Sequence, residues 1–388
     1  MKKLFALVLA LCMALTMVSC VSAEGEAVGL TVWVGSDQDQ PWIDSVIEAF
    51  KAANPGTTFD IKTGVVSEGD CKGSVLADPE AAADVYTFAH DQIVDLVKNG
   101  ALQPVADVET ITGDNLASAV EAATVNGTLY AYPATADNGY FMYYNKQYLT
   151  EEDVASLDKM LDVAAANGKY VTIDMDAAWY LYSFFKGAGL DCTLNEDGVT
   201  NSCNFNATDT SITGVQVAEA LLAIATNPGY INATDAEFQA GVKDGTMIAG
   251  INGAWNASVC KEAWGENYGA VKLPTYTVAD QQVQMSSFAG FKMVGVNAFS
   301  PNVGWAMEFA KFMTNYDSQM SRFTMRNQGP ANAKAAASEE VLADPAIAAL
   351  ASQAGFATAQ NVGGNYWTAT DTFGAIMVAG NPDGLDLQ

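Results

Sequence analysis

Carboxylates and aromatic side chains stand at the ends of strands that the sequence predicts. Asp37 comes just after the predicted strand Leu30–Val34, and His90 and Asp91 come directly after a strand that ends at Phe88. In open α/β sheets, ligands bind beyond the carboxyl ends of the strands. We therefore expect a binding site at these positions.

The residue types suit a ligand with one apolar face and one polar edge. Flat aromatic rings cover an apolar face, while carboxylates and amides bind hydroxyl groups along an edge, which is the chemistry that a sugar ring requires. Trp179 and Tyr182 lie three residues apart on one face of a predicted helix. No Cys/His spacing indicates zinc, and neither a metal nor a cofactor is predicted.

An enzyme is the alternative from another class. A glycoside hydrolase needs two carboxylates, one of them with a raised pKa, and Asp37, Asp91 and Asp137 could supply them. No Ser-His-Asp pattern or other catalytic signature accompanies them. The sequence therefore predicts a binding protein without catalysis.

The elements that must position these residues alternate along the chain, which predicts an α/β fold. The predicted strands include Leu30–Val34, Phe59–Thr63, Asp84–Phe88, Tyr170–Ile173 and Thr246–Ile251. The predicted helices are Pro41–Ala53, Gly69–Ala77, Gln92–Asn99, Thr150–Asn167, Ala177–Gly187, Thr213–Thr226, Asp235–Lys243, Pro301–Thr314 and Ser338–Ala354.

Residues 126–146 predict two aromatic strands around a hinge. The β-prone stretch Thr128–Tyr132 stops at Pro133, which cannot continue a central ladder. After a short polar break, the aromatic run Tyr140–Tyr144 has the length of a second strand. The chain is expected to leave one sheet and enter another with Asp137 between them, an arrangement that suits two moving lobes.

Several short motifs resemble those of a single family. They are the hinge run, LTVWVGSD at Leu30–Asp37, ADVYTFAHD at Ala83–Asp91, INGAW at Ile251–Trp255, NYGAVKLPT at Asn267–Thr275 and GVNAFSP at Gly295–Pro301. Together they resemble the extracellular solute-binding proteins of ABC importers, within them the maltose/maltodextrin-binding branch. The motifs follow the family's order along nearly the whole chain. The resemblance implies a two-lobed periplasmic-binding-protein fold, type II-like, with discontinuous α/β lobes joined by a hinge.

The same resemblance implies the lobe boundaries. The N-terminal lobe would comprise residues 24–136 and 292–336, and the C-terminal lobe residues 137–291 and 337–388. The chain would cross between them near Asp137, near Phe291 and near Lys334–Glu339. Relatives usually continue into a C-terminal helix beyond the point where this chain ends at Gln388, so a truncated C-terminus is expected.

On the N-terminal lobe, the resemblance makes Asp37 and Asp91 acceptors for sugar hydroxyls. Trp33 and Phe88 belong to the same two motifs, and Phe88 occupies a position where relatives carry an aromatic. Gln38 stands where maltose-binding proteins often carry Lys, so one charged contact becomes neutral.

Two further candidates have competing interpretations. His90, the only histidine, either contacts the ligand or merely orients a loop by hydrogen bonding. Asp137, at the hinge, either reaches sugar hydroxyls, as the acidic residue of relatives does, or caps its own turn.

On the C-terminal lobe, the resemblance makes four aromatic residues stacking platforms for sugar rings, namely Trp179, Tyr182, Trp255 and Trp367. Asp371 replaces an Arg of some relatives, which favours a different pattern of hydroxyls or a different glycan length at that edge. The remaining tryptophans of predicted amphipathic helices, Trp42, Trp264 and Trp305, are expected in the core.

The N-terminus predicts export. Lys2 and Lys3 precede a short apolar core, which is typical of a secretory signal peptide over residues 1–23. The core ends in Met-Val-Ser-Cys20, which looks like a lipobox and makes Cys20 the expected site of lipidation. Ordinary cleavage after Ala23 is the alternative. We expect the protein at the outer face of the cytoplasmic membrane, held by a lipid anchor only, or in the periplasm if the anchor is absent.

The remaining cysteines are expected in an oxidising compartment, where disulfides form. Cys192 and Cys203 flank a segment centred on Asp197-Gly198, which predicts a hairpin that places the two sulfurs opposite each other. A Cys192–Cys203 disulfide is therefore expected. Pairing of Cys71 with Cys260 follows only by elimination.

Charge limits the partners. The formal net charge is −27, from 45 acidic and 18 basic side chains, which disfavours nucleic acid, anionic lipid and acidic ligands. We expect a monomer that binds malto-oligosaccharides (α-1,4-glucans) and delivers them to the membrane subunits of an ABC importer by hinge closure. Binding of another neutral oligosaccharide is the alternative within the same class.

Overall fold

Two sheets of mixed direction organise the chain. The computed structural model describes residues 27–195 and 200–387, so the predicted signal peptide with Cys20 lies outside the described residues. The strands are β1 (Val28–Val34), β2 (Phe59–Val65), β3 (Val85–Ala89), β4 (Thr124–Val125), β5 (Thr128–Leu129), β6 (Tyr132–Thr135), β7 (Phe141–Asn145), β8 (Tyr170–Thr172), β9 (Cys192–Leu194), β10 (Asn201–Cys203), β11 (Tyr230–Ile231), β12 (Met247–Asn252), β13 (Tyr268–Val271), β14 (Thr275–Val278), β15 (Gln281–Gln284), β16 (Ser287–Ala289), β17 (Lys292–Val296) and β18 (Ala357–Ala359).

Helices surround both sheets. They are α1 (Gln40–Ala53), α2 (Cys71–Ala77), α3 (Ile93–Lys98), α4 (Val108–Asp114), α5 (Ala117–Ala122), α6 (Leu157–Ala166), α7 (Ala178–Gly187), α8 (Gly214–Ala225), α9 (Asp235–Asp244), α10 (Ala257–Trp264), α11 (Val303–Met313), α12 (Tyr316–Arg326), α13 (Ala333–Ala336), α14 (Glu339–Leu342), α15 (Pro345–Gln353) and α16 (Asn365–Val378). Among the described residues, no helix has the length and apolar character needed to cross a membrane.

The first lobe is built on a five-stranded sheet in the order β2-β1-β3-β17-β6. Strand β1 runs parallel to β2 and β3, whereas β17 is antiparallel to β3 and β6. Its core includes apolar residues of β1, β3, α1 and α11, with Phe50 of α1 packed edge-on against Phe309 of α11 at 5.1 Å between ring centroids. Trp42 is buried in this core, as predicted.

The second lobe is built on a five-stranded sheet in the order β11-β8-β12-β7-β13. Strand β7 is antiparallel to both of its neighbours. Its side chains are buried on both faces, because Met142 and Tyr144 pack into one apolar cluster and Phe141 and Tyr143 into another. A strand covered on both sides is nearly all apolar, which explains the aromatic run in the sequence.

The hinge prediction agrees with the sheet topology, because β6 belongs to the first sheet and β7 to the second. The predicted end of the strand at Pro133 is wrong. Pro133 lies within β6, which is an edge strand of its sheet, where a missing N–H group costs no ladder hydrogen bond. Asp137 follows β6, and its Oδ2 accepts a hydrogen bond from the backbone N–H of Gly329 at 2.6 Å.

Two predicted helices differ from those in the structure. The predicted helix Ser338–Ala354 is two helices, α14 and α15, because Pro345 begins a new helix whose N-cap is Asp344. The predicted helix Thr150–Asn167 begins only at Leu157.

The two strands predicted around Cys192 and Cys203 are present, whereas the turn predicted at Asp197-Gly198 lies outside the described residues. Strands β9 and β10 are antiparallel, and their register sets Cys203 opposite Cys192. Both residues are free cysteines in the structure, so the disulfide expected from the sequence is not formed there. Cys71 and Cys260 are buried in different lobes, so they are not opposed to each other.

Candidate functional site

A cleft of about 790 Å³ runs between the two lobes. The first lobe lines it chiefly with polar side chains, and the second lobe contributes the aromatic ones. Lining residues from the first lobe include Asp37, Gln38, Glu68, Asp91, Lys292 and Arg326. Those from the second lobe include Trp179, Asp235, Gln239, Trp255, Gln360 and Trp367.

Six of the residues predicted from the sequence are thus brought together at the cleft. They are Asp37, Gln38, Asp91, Trp179, Trp255 and Trp367. The three tryptophans are half-buried, which leaves part of each ring accessible. Polar groups on one side and rings on the other match the two surfaces that a sugar ring presents.

Two predicted stacking residues lie in the core instead. Phe88 is fully buried in β3 and points into the first lobe, 6.1 Å from the ring of Tyr86. Tyr182 is fully buried in α7, stacked on Phe288 at 3.9 Å between ring centroids. Neither forms part of the cleft wall. The prediction is wrong because an aromatic residue at a strand end or on a helix face is as well suited to packing in the core as to binding. Trp33 likewise packs against the core of the first lobe.

His90 orients its loop. Its ring packs edge-on against Phe291 at 5.7 Å, and its Nδ1 accepts the backbone N–H of Phe291 at 3.3 Å. Burial lowers the pKa of His90 to about 4. The imidazole is therefore neutral near neutral pH, and its Nδ1 is already bonded to the backbone of Phe291.

Asp137 is buried below the cleft surface rather than lining it. Burial raises the pKa of its carboxyl, although Lys292 and Arg322 act in the opposite direction. Its Oδ2 binds Gly329, and its Oδ1 has no hydrogen-bond partner among the described residues. Its contact with Gly329 ties the segment after β6 to the segment between α12 and α13.

Asp91 is held ready to accept a hydrogen bond. It lies in a short 3-10 turn directly after β3, where the nearby side chain of Gln360 favours the charged form of its carboxyl and so lowers its pKa. Its buried Oδ1 has no partner in the part of the chain that the structure describes. Burial raises the pKa of Asp91 to about 6, because the charged form loses water. A buried acceptor without a partner costs free energy, which a ligand hydroxyl would recover.

The aromatic wall is fixed by hydrogen bonds at the ring edges. The Nε1–H of Trp179 donates to Oε1 of Gln360 at 2.8 Å, and the Nε1–H of Trp255 donates to Oδ1 of Asp235 at 3.0 Å. The two rings lie 5.7 Å apart with planes inclined by 35°. Trp255 follows β12 and lies over Gly253, where a Cβ atom would come within 2.0 Å of the ring.

A group of buried charges lies beneath the polar wall. Arg322 is 2% exposed and lies 3.7 Å from Asp39 and 3.6 Å from Glu68, with its guanidinium 4.7 Å from the ring centroid of Trp42. Lys292 lies 3.6 Å from Glu68 and 4.7 Å from the ring centroid of Trp255. Burial alone would raise the pKa of Asp39, but the neighbouring arginines lower it below its ordinary value.

Sequence reasoning missed several cleft residues, among them Glu68, Asp235, Gln239, Lys292, Arg326 and Gln360. Lys292 carried a signal, since it is a charged residue at the start of a strand that is otherwise apolar. Asp371 was expected at the edge of the pocket. Its Oδ1 instead accepts the backbone N–H of Ala178 at 2.7 Å, at the first residue of α7.

Similarity to known proteins identifies the family. Residues 45–349 match the family of bacterial extracellular solute-binding proteins. The chain belongs to that family. Membership implies an exported solute-binding protein that works with an ABC importer.

Individual relatives of this solute-binding protein cover most of both chains. The galactooligosaccharide-binding protein of Bacillus subtilis (strain 168) is 26% identical over 382 residues, covering 91% of this chain and 85% of the relative. A structure solved with acarbose is 32% identical, with a TM-score of 0.79 over 92% of this chain and 97% of the other. The maltose/maltodextrin-binding domain of Bdellovibrio bacteriovorus, bound to maltotriose, is 17% identical with a TM-score of 0.77, covering 91% and 94%. The fold is thus the two-lobed α/β fold of periplasmic sugar-binding proteins.

Proposed function

We propose that this protein binds malto-oligosaccharides in the cleft and delivers them to an ABC importer without chemical change. The observation that carries the proposal is the pairing of half-buried tryptophans on one wall with hydrogen-bonding side chains on the other. Sugar C–H faces would stack on Trp179, Trp255 and Trp367, while Asp37 and Asp91 accept hydroxyl hydrogen bonds. The structure solved with acarbose and the domain bound to maltotriose support α-glucans as the ligand class.

Binding would work by closure of two lobes about the hinge. We infer an N-terminal lobe of residues 24–136 and 292–336 and a C-terminal lobe of residues 137–291 and 337–388. The separate apolar cores of the two sheets support this division. Since each lobe supplies one wall of the cleft, a bound glycan would favour the closed form, and the importer would recognise that form. We expect the protein to act as a monomer.

Catalysis is not part of the proposal. A hydrolase would need two carboxyl groups that flank the bond to be cut, one of them protonated and the other ionised. Asp91 has a raised pKa, but its role in the proposal is that of a fixed acceptor for a ligand hydroxyl. Incubation with maltoheptaose, followed by chromatography of the products, should return maltoheptaose unchanged.

A different neutral oligosaccharide is the second candidate. The Bacillus subtilis relative is named for galactooligosaccharides, and Gln38 stands where maltose-binding proteins often carry Lys. The two candidates differ in the direction of the hydroxyls along the ring edge, and a buried acceptor left unpaired by the wrong sugar costs about 1–3 kcal/mol.

Calorimetric titration separates the candidates. Maltose, maltotriose and maltoheptaose would be compared with a galactooligosaccharide, cellotriose and xylotriose under the same conditions. Saturable heat from the α-1,4 series alone supports malto-oligosaccharides. Saturable heat from the galactooligosaccharide and no heat from the α-1,4 series would contradict malto-oligosaccharides and support the second candidate.

Two features of the exported protein belong to the same proposal. We propose that Cys20 carries a lipid anchor, which a Cys20→Ser variant should lose together with labelling by a fatty-acid analogue. We also propose that Cys192 and Cys203 oxidise after export, because their register already sets them opposite each other. Closure of so short a loop would stabilise the fold by roughly 2–3 kcal/mol. Alkylation of the two thiols in the exported protein without prior reduction would contradict the disulfide.

A further inference from the structure

A continuous chain of hydrogen bonds crosses the cleft from the first lobe to the stacking ring of Trp255. It begins at Arg326, whose Nη1–H donates to Oε1 of Gln38 at 2.6 Å. The Nε2–H of Gln38 donates across the cleft to Oε1 of Gln239 at 3.0 Å. The Nε2–H of Gln239 donates to Oδ2 of Asp235 at 2.8 Å, and Oδ1 of Asp235 accepts the indole N–H of Trp255.

The two glutamines fit this chain because an amide accepts on one side and donates on the other. Arg326 can only donate and Asp235, when ionised, can only accept, so both amides must point in the same direction. A lysine at position 38 would offer no acceptor to Arg326 and would place two positive charges together. A glutamine at position 38 therefore makes two hydrogen bonds that a lysine could not both make.

Both ends of this series of hydrogen bonds are held by further contacts. Arg326 also donates through Nε to Oδ1 of the buried Asp39 at 2.9 Å. On the other side, Asp235 begins α9, where Thr234 and Glu237 form a capping box that fixes the first turn. The bond between Gln38 and Gln239 thus joins two fixed points, one on each lobe.

We propose that Gln38 and Gln239 form a latch, meaning this pair of side chains, which stabilises the closed cleft and holds the Trp255 ring through Asp235. Both are positioning residues rather than sugar contacts. The ligand used in the test rests on the proposed function, whereas the latch itself is a property of the protein. Closing the lobes and orienting the stacking ring then become one event.

The latch predicts non-additive effects on ligand release. Gln38→Met and Gln239→Met preserve length and remove the bond, so each should raise the dissociation rate of maltotriose about 2- to 10-fold. The double variant should raise the rate by less than the product of the two single effects, because both single variants already lack the bond between Gln38 and Gln239. Gln281→Met, on an exposed strand of the second lobe, is the matched control and should leave the rate unchanged. Unchanged rates in the single variants, or additive effects in the double variant, would overturn the proposal.

A charge-based rescue separates a latch from general damage to the site. In the variant that combines Gln38→Glu with Gln239→Lys, the introduced ammonium lies between the introduced carboxylate and the carboxylate of Asp235. The introduced carboxylate can still accept a hydrogen bond from Arg326. The double variant should recover slow release, whereas Gln239→Lys alone should not recover it. Failure of the double variant to release more slowly than both of its single variants would overturn the latch.

A measurement without sugar separates this inference from the proposed function. Small-angle X-ray scattering of the unliganded wild type should give a smaller radius of gyration than that of the Gln38→Met, Gln239→Met double variant. If maltotriose does not bind the wild type at all, the malto-oligosaccharide proposal fails while scattering still tests the latch. Equal radii of gyration in that case would overturn the latch.

Discussion

At the scale of single residues, the accessible tryptophan faces matter most, since each contributes a large apolar area. Trp255→Ala should weaken binding of maltotriose about 5- to 150-fold, equivalent to roughly 1–3 kcal/mol, because a sugar face loses its stacking ring. Phe299, which is 46% exposed and lies outside the cleft, provides the matched control Phe299→Ala. Calorimetric titration of both variants measures the difference. Equal affinities would contradict a stacking role for Trp255.

Asp91 should make binding depend on pH. Its pKa is raised to about 6 by burial, so the carboxylate that we propose as a hydroxyl acceptor becomes protonated as the pH falls through that value. Affinity for maltotriose should fall roughly tenfold between about pH 7 and pH 5, in proportion to the ionised fraction. His90 does not contribute over this window, because its pKa is lowered to about 4.

The control for this titration is Asp91→Asn, which keeps the shape and cannot ionise. It should bind more weakly near neutral pH and should lose the pH dependence. Lys72 and Asp95 also act on Asp91, the first lowering and the second raising its pKa. A pH dependence that persists unchanged in Asp91→Asn would assign the titration to another group.

At the scale of elements, α12 supports the polar wall through its buried arginines. Arg322 lies within 4 Å of both Asp39 and Glu68, and all three side chains are largely buried. Arg322→Met should reduce the free energy of unfolding by about 3 kcal/mol, because Asp39 and Glu68 each lose one of two buried cationic partners. Urea-induced unfolding, followed by tryptophan fluorescence, measures the change.

A surface ion pair offers the comparison. Lys62 lies 3.4 Å from Asp60 with both side chains mostly exposed, so Lys62→Met should cost no more than about 1 kcal/mol. If Arg322→Met proved as mild as Lys62→Met, the buried group of charges would not stabilise the polar wall.

Most elements could be predicted from the sequence, and the exceptions have physical reasons. Apolar runs of strand length indicated strands such as β7, and periodic apolar patterns indicated most helices, because burial leaves a trace in the sequence. Pro133 misled the strand prediction because the sequence does not say which strand is at an edge. Pro345 divided a predicted helix because a proline at the first turn begins a helix as readily as it ends one.

The cleft was predicted only in part. Strand-end residues such as Asp37 and Asp91 were found because parallel strands end at one edge of a sheet. Gln239 and Gln360 lay outside the prediction because they reach the cleft only through the packing of α9 and β18, which no local pattern encodes. Phe88 and Tyr182 were expected at the cleft because sequence alone does not distinguish a buried ring from an accessible one.

At the scale of the whole molecule, each lobe has its own core, and individual side-chain contacts join the walls of the cleft. Gln38 bonds to Gln239, and Lys292 lies over the Trp255 ring. Because these contacts are individually weak, a ligand that touches both walls can shift the balance between open and closed forms. The arrangement therefore couples the occupancy of the cleft to the shape that a membrane partner would meet.

The net charge of −27 should act on ligands before they reach the cleft. A long-range negative potential slows the approach of anions and is screened by salt within about 10 Å at 0.1 M ionic strength. Maltotriose oxidised to carry a terminal carboxylate should therefore associate roughly 2- to 10-fold more slowly than maltotriose at low salt. Stopped-flow fluorescence measures both association rates.

Salt dependence distinguishes this field from a local clash at the site. The difference between the two association rates should shrink as salt is raised, because screening weakens the field and leaves short contacts unchanged. The neutral sugar is its own control, since its association rate should hardly respond to salt. A difference that stays constant at every salt concentration would place the discrimination inside the cleft, which is lined by Asp37, Glu68, Asp91 and Asp235.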